Sequence, residues 1–361
     1  MNPAHAKTPN GKLRARGAGL AFDGIPGKWN AITDVAGVQV GYCTLIKGDD
    51  IRTGVTAILP RGPENLGTPV FAGYHSLNGN GELTGTIWVE EAGQCDGSIT
   101  ITNTHSCGVT RDASIKWMHN KLQRTGQWAL PVAGETYDGY LNDINGFHVH
   151  ETHVFEALDS ANSGPVEEGS VGGGTGMICY QYKGGSGTAS RIVNIAGESF
   201  TLGVFVQANF GMQKQLTISG VPIGRLLADE NEQRDKTARE SGSVIGILAT
   251  DAPLLPHQLK RLARRMGLGI GRSGAISGHG SGDIFLAFST SNTDAHTEGP
   301  ALGQASFVPN PLLDTLFEAT IDATNESVLN SLFANESMTG FQGHKIEALP
   351  VKKVMQLINA R

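Results

Sequence analysis

Asp229-Glu230-Asn231-Glu232-Gln233-Arg234-Asp235-Lys236-Thr237-Ala238-Arg239-Glu240-Ser241-Gly242 runs straight into Ser243-Val244-Ile245-Gly246-Ile247-Leu248. The first part carries eight charged side chains and almost nothing to bury, so it reads as a solvated, mobile connection. The second reads as a core strand. A hydroxyl residue heading a buried strand, with glycine just before it, is what self-cleavage needs. The hydroxyl attacks the preceding carbonyl, which glycine leaves unobstructed, and hydrolysis of the ester frees the Ser243 α-amine. Such an amine has an ordinary pKa of roughly 7.7–8, well below lysine's, so it can serve its own hydroxyl as general base near neutrality. The same letters also fit an ordinary polar loop before a strand.

Around this junction the chain reads as strands and helices interleaved. Short apolar or alternating runs at 54–60, 98–102, 191–195, 201–207 and 283–288 are expected strands. Helical spacing covers 111–122, 151–158, 256–266 with glycine just beyond as a C-cap, and 311–333. In the last, Leu313, Leu316, Phe317, Ile321, Val328 and Leu332 form one stripe. Strands after residue 243 need partners from before it, so the expectation is a single layered α/β domain over 1–361, two sheets enclosed by helices.

Composition narrows the function. The chain has 49 glycines, 17% charged residues and a net charge of -6, which suits tight turns and close backbone approach and argues against nucleic acid as a partner. The basic group Lys260, Arg261, Arg264 and Arg265 has helical spacing and reads as a solvated face. Cys43, Cys95, Cys107 and Cys179 form no CxxC pair and read as small buried hydrophobes in a reducing compartment. Met1–Lys7 offers no apolar signal core, and no apolar run reaches about 18 residues, so a soluble cytoplasmic protein without a membrane partner is expected.

Three motifs invite a cofactor and none holds one on this reading. Gly269-Ile270-Gly271-Arg272-Ser273-Gly274 follows a helix, where a dinucleotide loop must follow a strand. His148-Val149-His150-Glu151-Thr152-His153 lacks metalloprotease spacing and reads as a helix entry, and Gly172-Gly173-Gly174-Thr175-Gly176 lacks the lysine of a P-loop and reads as close packing beside a site. No cofactor or metal is therefore expected. In Gly278-His279-Gly280-Ser281-Gly282-Asp283, Ser281 and Asp283 point the same way on an extended strand and can face one pocket, or form a Gly-rich turn with a capping serine. Tyr137 and Asn209 are donors able to hold an oxyanion, and equally ordinary turn or strand-end residues.

Seven longer motifs carry a resemblance over nearly the whole chain: Gly24–Gly27 with Trp29–Val35, His75–Glu82, Thr102–Ser106, Glu135–Gly139, Leu141–Gly146, Gly172–Met177 and Ala249–Leu254. Together they resemble the L-aminopeptidase/D-Ala-esterase/amidase family, which includes the β-peptidyl aminopeptidases. The resemblance implies a four-layer αββα fold like that of Ntn hydrolases but differently connected, and a precursor cut at Gly242-Ser243 into an α subunit, 1–242, and a β subunit, 243–361. It implies Ser243 as nucleophile, Tyr137 and Asn209 as oxyanion donors, Ser281 beside the nucleophile, Asp283 where some members carry glutamate, and Glu135 as the acid that holds the substrate's free amino terminus. Expected substrates are small peptides, amides or esters, and the expected assembly is a homo-oligomer of αβ units. Two competitors are an enzyme similar to ornithine acetyltransferase, which would use threonine, and a noncatalytic ligand-binding protein that stays uncut.

Overall fold

The structure, a computed structural model, describes residues 2–123, 128–228, 242–296 and 302–360. Its strands are β1 (Gln39–Lys47), β2 (Ile51–Leu59), β3 (Val70–Gly79), β4 (Gln94–Cys95), β5 (Ile99–Asn103), β6 (Val132–Thr136), β7 (Ile178–Cys179), β8 (Tyr182–Lys183), β9 (Gly185–Ile195), β10 (Glu198–Asn209), β11 (Ser243–Thr250), β12 (Gly282–Ser289), β13 (Met338–Thr339) and β14 (Lys345–Ile346). The helices are α1 (Pro3–Ala6), α2 (Thr86–Ala92), α3 (Cys107–Leu122), α4 (Glu151–Asp159), α5 (Ile223–Ala228), α6 (Pro256–Arg272), α7 (Asp314–Phe333) and α8 (Val351–Asn359). All of the strands and helices expected from the sequence form, but residues 229–241 of the polar connection lie outside the described residues.

Of the two large sheets, one has the order β1-β2-β5-β6, the other β4-β3-β12-β11-β10-β9. They pack face to face. Ile58, Ile99, Ile101 and Val132 of the first meet Phe205, Ile245, Ile247 and Leu286 of the second in one buried cluster. Helices α3 and α4 cover the outer face of the first sheet, and α6 and α7 that of the second. The result is a four-layer αββα sandwich. Strand β11 lies between β10 (antiparallel) and β12 (parallel), and β12 pairs with β3, so the chain after 243 is built into the sheet of the chain before it.

Two helices differ from expectation. Helix α6 continues past Gly267 to Arg272, because Gly269 lets α7 approach: a Cβ there would lie 2.6 Å from the Thr324 Cβ. Packing outweighs glycine's poor helix propensity. Gly269 and Gly271 thus lie inside a helix, where no dinucleotide loop can form. Helix α7, expected to carry one apolar stripe, is buried nearly all round from Ala323 to Phe333, while Ile321 is only half-buried. Its polar faces survive burial because Thr320, Thr324 and Ser327 donate their hydroxyls to carbonyls four residues back, each at 2.7 Å. The basic group on α6 is also less solvated than expected: Arg265 stacks over the Phe317 ring at 3.3 Å, and Lys260 pairs with Glu90.

Candidate active site

Ser243 is the first residue of β11 and is 4% exposed. In the ladder it faces Asn209 of β10 and Gly282 of β12. Side chains alternate along a strand. Val244 and Leu248 belong to the core under the helices, Ile245 and Ile247 to the core between the sheets, so the Ser243 side chain points between the sheets with Asn209. Gly242 is crowded: a Cβ would lie 2.5 Å from the Asn209 carbonyl oxygen and 2.7 Å from the Phe210 Cα. Its own carbonyl oxygen accepts a hydrogen bond of 3.1 Å from the Gly282 N–H.

The Asn209 amide is fixed at both ends. Its Oδ1 accepts from the Ile178 N–H at 2.8 Å, and its Nδ2 donates to the Tyr137 carbonyl at 2.9 Å. Since an amide nitrogen has two hydrogens, one remains for a further acceptor. Tyr137 itself sits at the rim, 52% exposed. Its backbone carbonyl meets Asn209, while its hydroxyl lies against Gly139.

Glu135, on β6, is buried and forms no ion pair among the described residues. Its Oε1 accepts from the Glu82 N–H at 2.9 Å, and its Oε2 from the Thr104 hydroxyl. Burial raises its carboxyl above the ordinary value and the Glu82 carboxylate adds to this, while those two donors and, least, the nearby His105 pull it back. A Cβ on Gly81 would lie 3.0 Å from Glu135 Oε1 and 3.5 Å from the Gly282 Cα, which ties the carboxylate to the register partner of Ser243. A cleft of about 330 Å³ lined by Tyr74, Ser76, Glu82, Thr84 and Ile284 opens alongside.

Ser281 and Asp283 do come together: the Ser281 hydroxyl donates to Asp283 Oδ1 at 2.6 Å, and the Ser277 hydroxyl donates to Oδ2. Both Ser281 and Asp283 are buried. Asp283 pairs in register with Val244, and Phe285, two residues on, lies under the helices. Asp283 therefore projects from the opposite face of the sheet to the Ser243 hydroxyl.

Other motifs settle into structure. Gly172–Gly174 wedges between the sheets, where a Cβ on Gly173 would lie 2.5 Å from the Ile101 carbonyl oxygen. The His150 N–H donates to His153 Nδ1 at 3.0 Å, which is helix capping. All four cysteines are buried and unpaired. Among the described residues no helix is long and apolar enough to cross a membrane.

The model of peptidase family S58 matches residues 30–346. The chain belongs to this family. It is 50% identical over 356 residues to β-peptidyl aminopeptidase BapA of Sphingosinicella microcystinivorans, covering 93% of this chain and 89% of that one. To β-peptidyl aminopeptidase BapA of Sphingosinicella xenopeptidilytica it is 42% identical, with 96% and 91% covered. Among solved structures, the L-aminopeptidase D-Ala-esterase/amidase of Ochrobactrum anthropi, a serine aminopeptidase with a variant Ntn-hydrolase fold, superimposes with a TM-score of 0.90 at 46% identity, covering 96% and 98%. This S58 peptidase is thus a serine hydrolase of the aminopeptidase and amidase kind, with the resemblance and the fold class read from the sequence both upheld. The acetyltransferase and the noncatalytic binder find no support in these matches.

Sequence reasoning missed the Gly282 N–H, the Ser277 hydroxyl and the Thr104 hydroxyl. A backbone donor has no sequence signal. Thr104 lay inside a recognised motif, but only the folded chain brings it to Glu135.

Proposed function

We propose that the protein cuts its own backbone between Gly242 and Ser243 and then removes amino-terminal residues from short peptides, amides or esters. The observation that carries this reading is the placement of Ser243 at the buried head of β11, between Asn209 and Gly282. In maturation the Ser243 hydroxyl attacks the Gly242 carbonyl carbon, whose oxygen is already held by the Gly282 N–H. The C–N bond breaks, the Ser243 nitrogen takes up the proton, and water hydrolyses the ester. Asp283 and Ser281, on the other face, orient the nitrogen.

In turnover the freed amine draws the proton from the hydroxyl of the same residue as that hydroxyl attacks the substrate carbonyl, then passes it to the leaving amine. The free N–H of Asn209, with Tyr137 closing over from the rim, holds the oxyanion. Glu135 takes the substrate's ammonium. A buried carboxylate held by two neutral donors gains most from a cation, so peptides with a free amino terminus are favoured over blocked ones. The adjoining cleft beside Glu82 suits a short chain. We place the enzyme in the cytoplasm, where four buried thiols stay reduced, as a homo-oligomer of αβ units. Ser243→Ala is expected to run as one band on a denaturing gel and to turn over no substrate. Two bands from that variant contradict the scheme.

A further inference from the structure

Behind Asn209 lies a lysine that the chemistry above does not use. Lys183, on β8, has no exposed surface and forms no ion pair among the described residues. Its Nζ donates instead to two backbone carbonyls, those of Met177 at 2.7 Å and Gly184 at 2.9 Å. Burying an amine this way is costly unless its donors are used. The Met177 carbonyl belongs to the same peptide unit as the Ile178 N–H, and that N–H donates to Asn209 Oδ1 at 2.8 Å. One rigid plane thus joins Lys183 on one side to Asn209 on the other.

We propose that Lys183 is a positioning residue for the oxyanion donor: through the Met177–Ile178 peptide it locks and polarises the Asn209 amide, so that the free N–H stays aimed at the reacting carbonyl. Hydrogen bonds in such a chain strengthen one another, and amide orientation is decided by what holds the oxygen. Burial, with Lys12 adding to it, pushes the Lys183 amine down to about 7, while Cys179 opposes the shift weakly. The neutral amine still has two N–H donors, matching its two carbonyls, so the clamp holds in either protonation state.

The inference rests on the role given to Asn209, and the test separates the two. Rates are measured on the full chain, per mole of free Ser243 amino terminus, for Lys183→Met, Asn209→Ala, Glu135→Gln and their pairs. Lys183→Met is expected to lower kcat about tenfold with KM unchanged. In the Glu135→Gln background the same factor should recur, since the two groups share no partner, and in the Asn209→Ala background it should vanish. A loss of equal size in all three backgrounds, or an unchanged kcat, overturns the proposal. Should Asn209→Ala itself leave kcat intact, the assignment of Asn209 fails instead. If Lys183→Met does not fold, Lys183→Gln, which keeps an N–H donor, carries the same cycle with an expected loss of about threefold.

Discussion

Two buried glutamates, Glu326 on α7 and Glu135 on β6, show how differently one side chain is used in two regions of this molecule. Glu326 is enclosed by cations: Arg16 reaches it at 2.6 and 2.8 Å, Arg191 at 2.8 Å, and the Asn30 amide donates at 2.6 Å. Burial would raise its carboxyl, but Arg191 and Arg16 outweigh burial and hold it below the ordinary value. The cluster binds the amino-terminal segment and β9 to α7, and its electrostatics are complete. Glu135 is comparably buried, yet it forms no ion pair among the described residues: its hydrogen-bond donors are neutral, the nearby His105 lowers its carboxyl only weakly, and burial leaves it raised. A buried carboxylate without an ion pair has most to gain from a cationic partner. In the function proposed above, the substrate's ammonium is that partner.

The contrast can be broken or sharpened by substitution. The largest expected effect is at Glu326→Gln, which leaves two buried guanidinium groups undercompensated and should cost about 3–5 kcal/mol of stability. Urea unfolding measures this, while activity per folded molecule should hold. Glu135→Gln should do the reverse, lowering kcat/KM for free-amine peptides by about 10- to 100-fold while the unfolding midpoint stays level or rises. If Glu135→Gln instead unfolds the chain and Glu326→Gln does not, the two glutamates have been assigned the wrong way round.

A smaller effect lies in pH. Glu135 holds its proton in the native state at pH values where the unfolded chain has lost it, so its contribution to stability is present below the unfolded carboxyl pKa and is lost as pH rises through the raised native one. The ionised form is the one that binds ammonium, so activity should fall on acidification earlier than for an ordinary glutamate. A pH profile of kcat/KM should show this acid limb in the wild type and not in Glu135→Gln. Smallest is Thr104→Val, which removes one donor to Glu135. It should raise KM about fivefold, the worth of about 1 kcal/mol, and move the acid limb to higher pH. A limb that moves the other way means that Thr104 does not support the charged form.

The sandwich was legible where the physics is local. Val244 to Leu248 and Ile284 to Phe288 announce core strands by their apolar runs, and the charged stretch before Ser243 marks the junction. Strand alternation put Ser281 and Asp283 on one side, with a Gly-rich turn as the other reading, and in the fold the Ser281 hydroxyl does donate to Asp283. What the alternation could not show was that Asp283 and the Ser243 hydroxyl sit on opposite faces, because that depends on the register between β11 and β12. Nothing local in the sequence marks Arg16, Arg191 and Glu326 as partners; only the fold brings them together. Gly267 looked like a helix end because the cost of glycine is local, while the packing of α6 on α7 that overrides it is not. Lys183 carried no pattern at all.

The central claim is that residue 243 becomes a new amino terminus. Intact-mass spectrometry with amino-terminal sequencing of purified, active protein tests it most directly. The account predicts two chains separated between Gly242 and Ser243, the second reading Ser-Val-Ile-Gly. Full turnover by a preparation containing only the uncut 361-residue chain contradicts it.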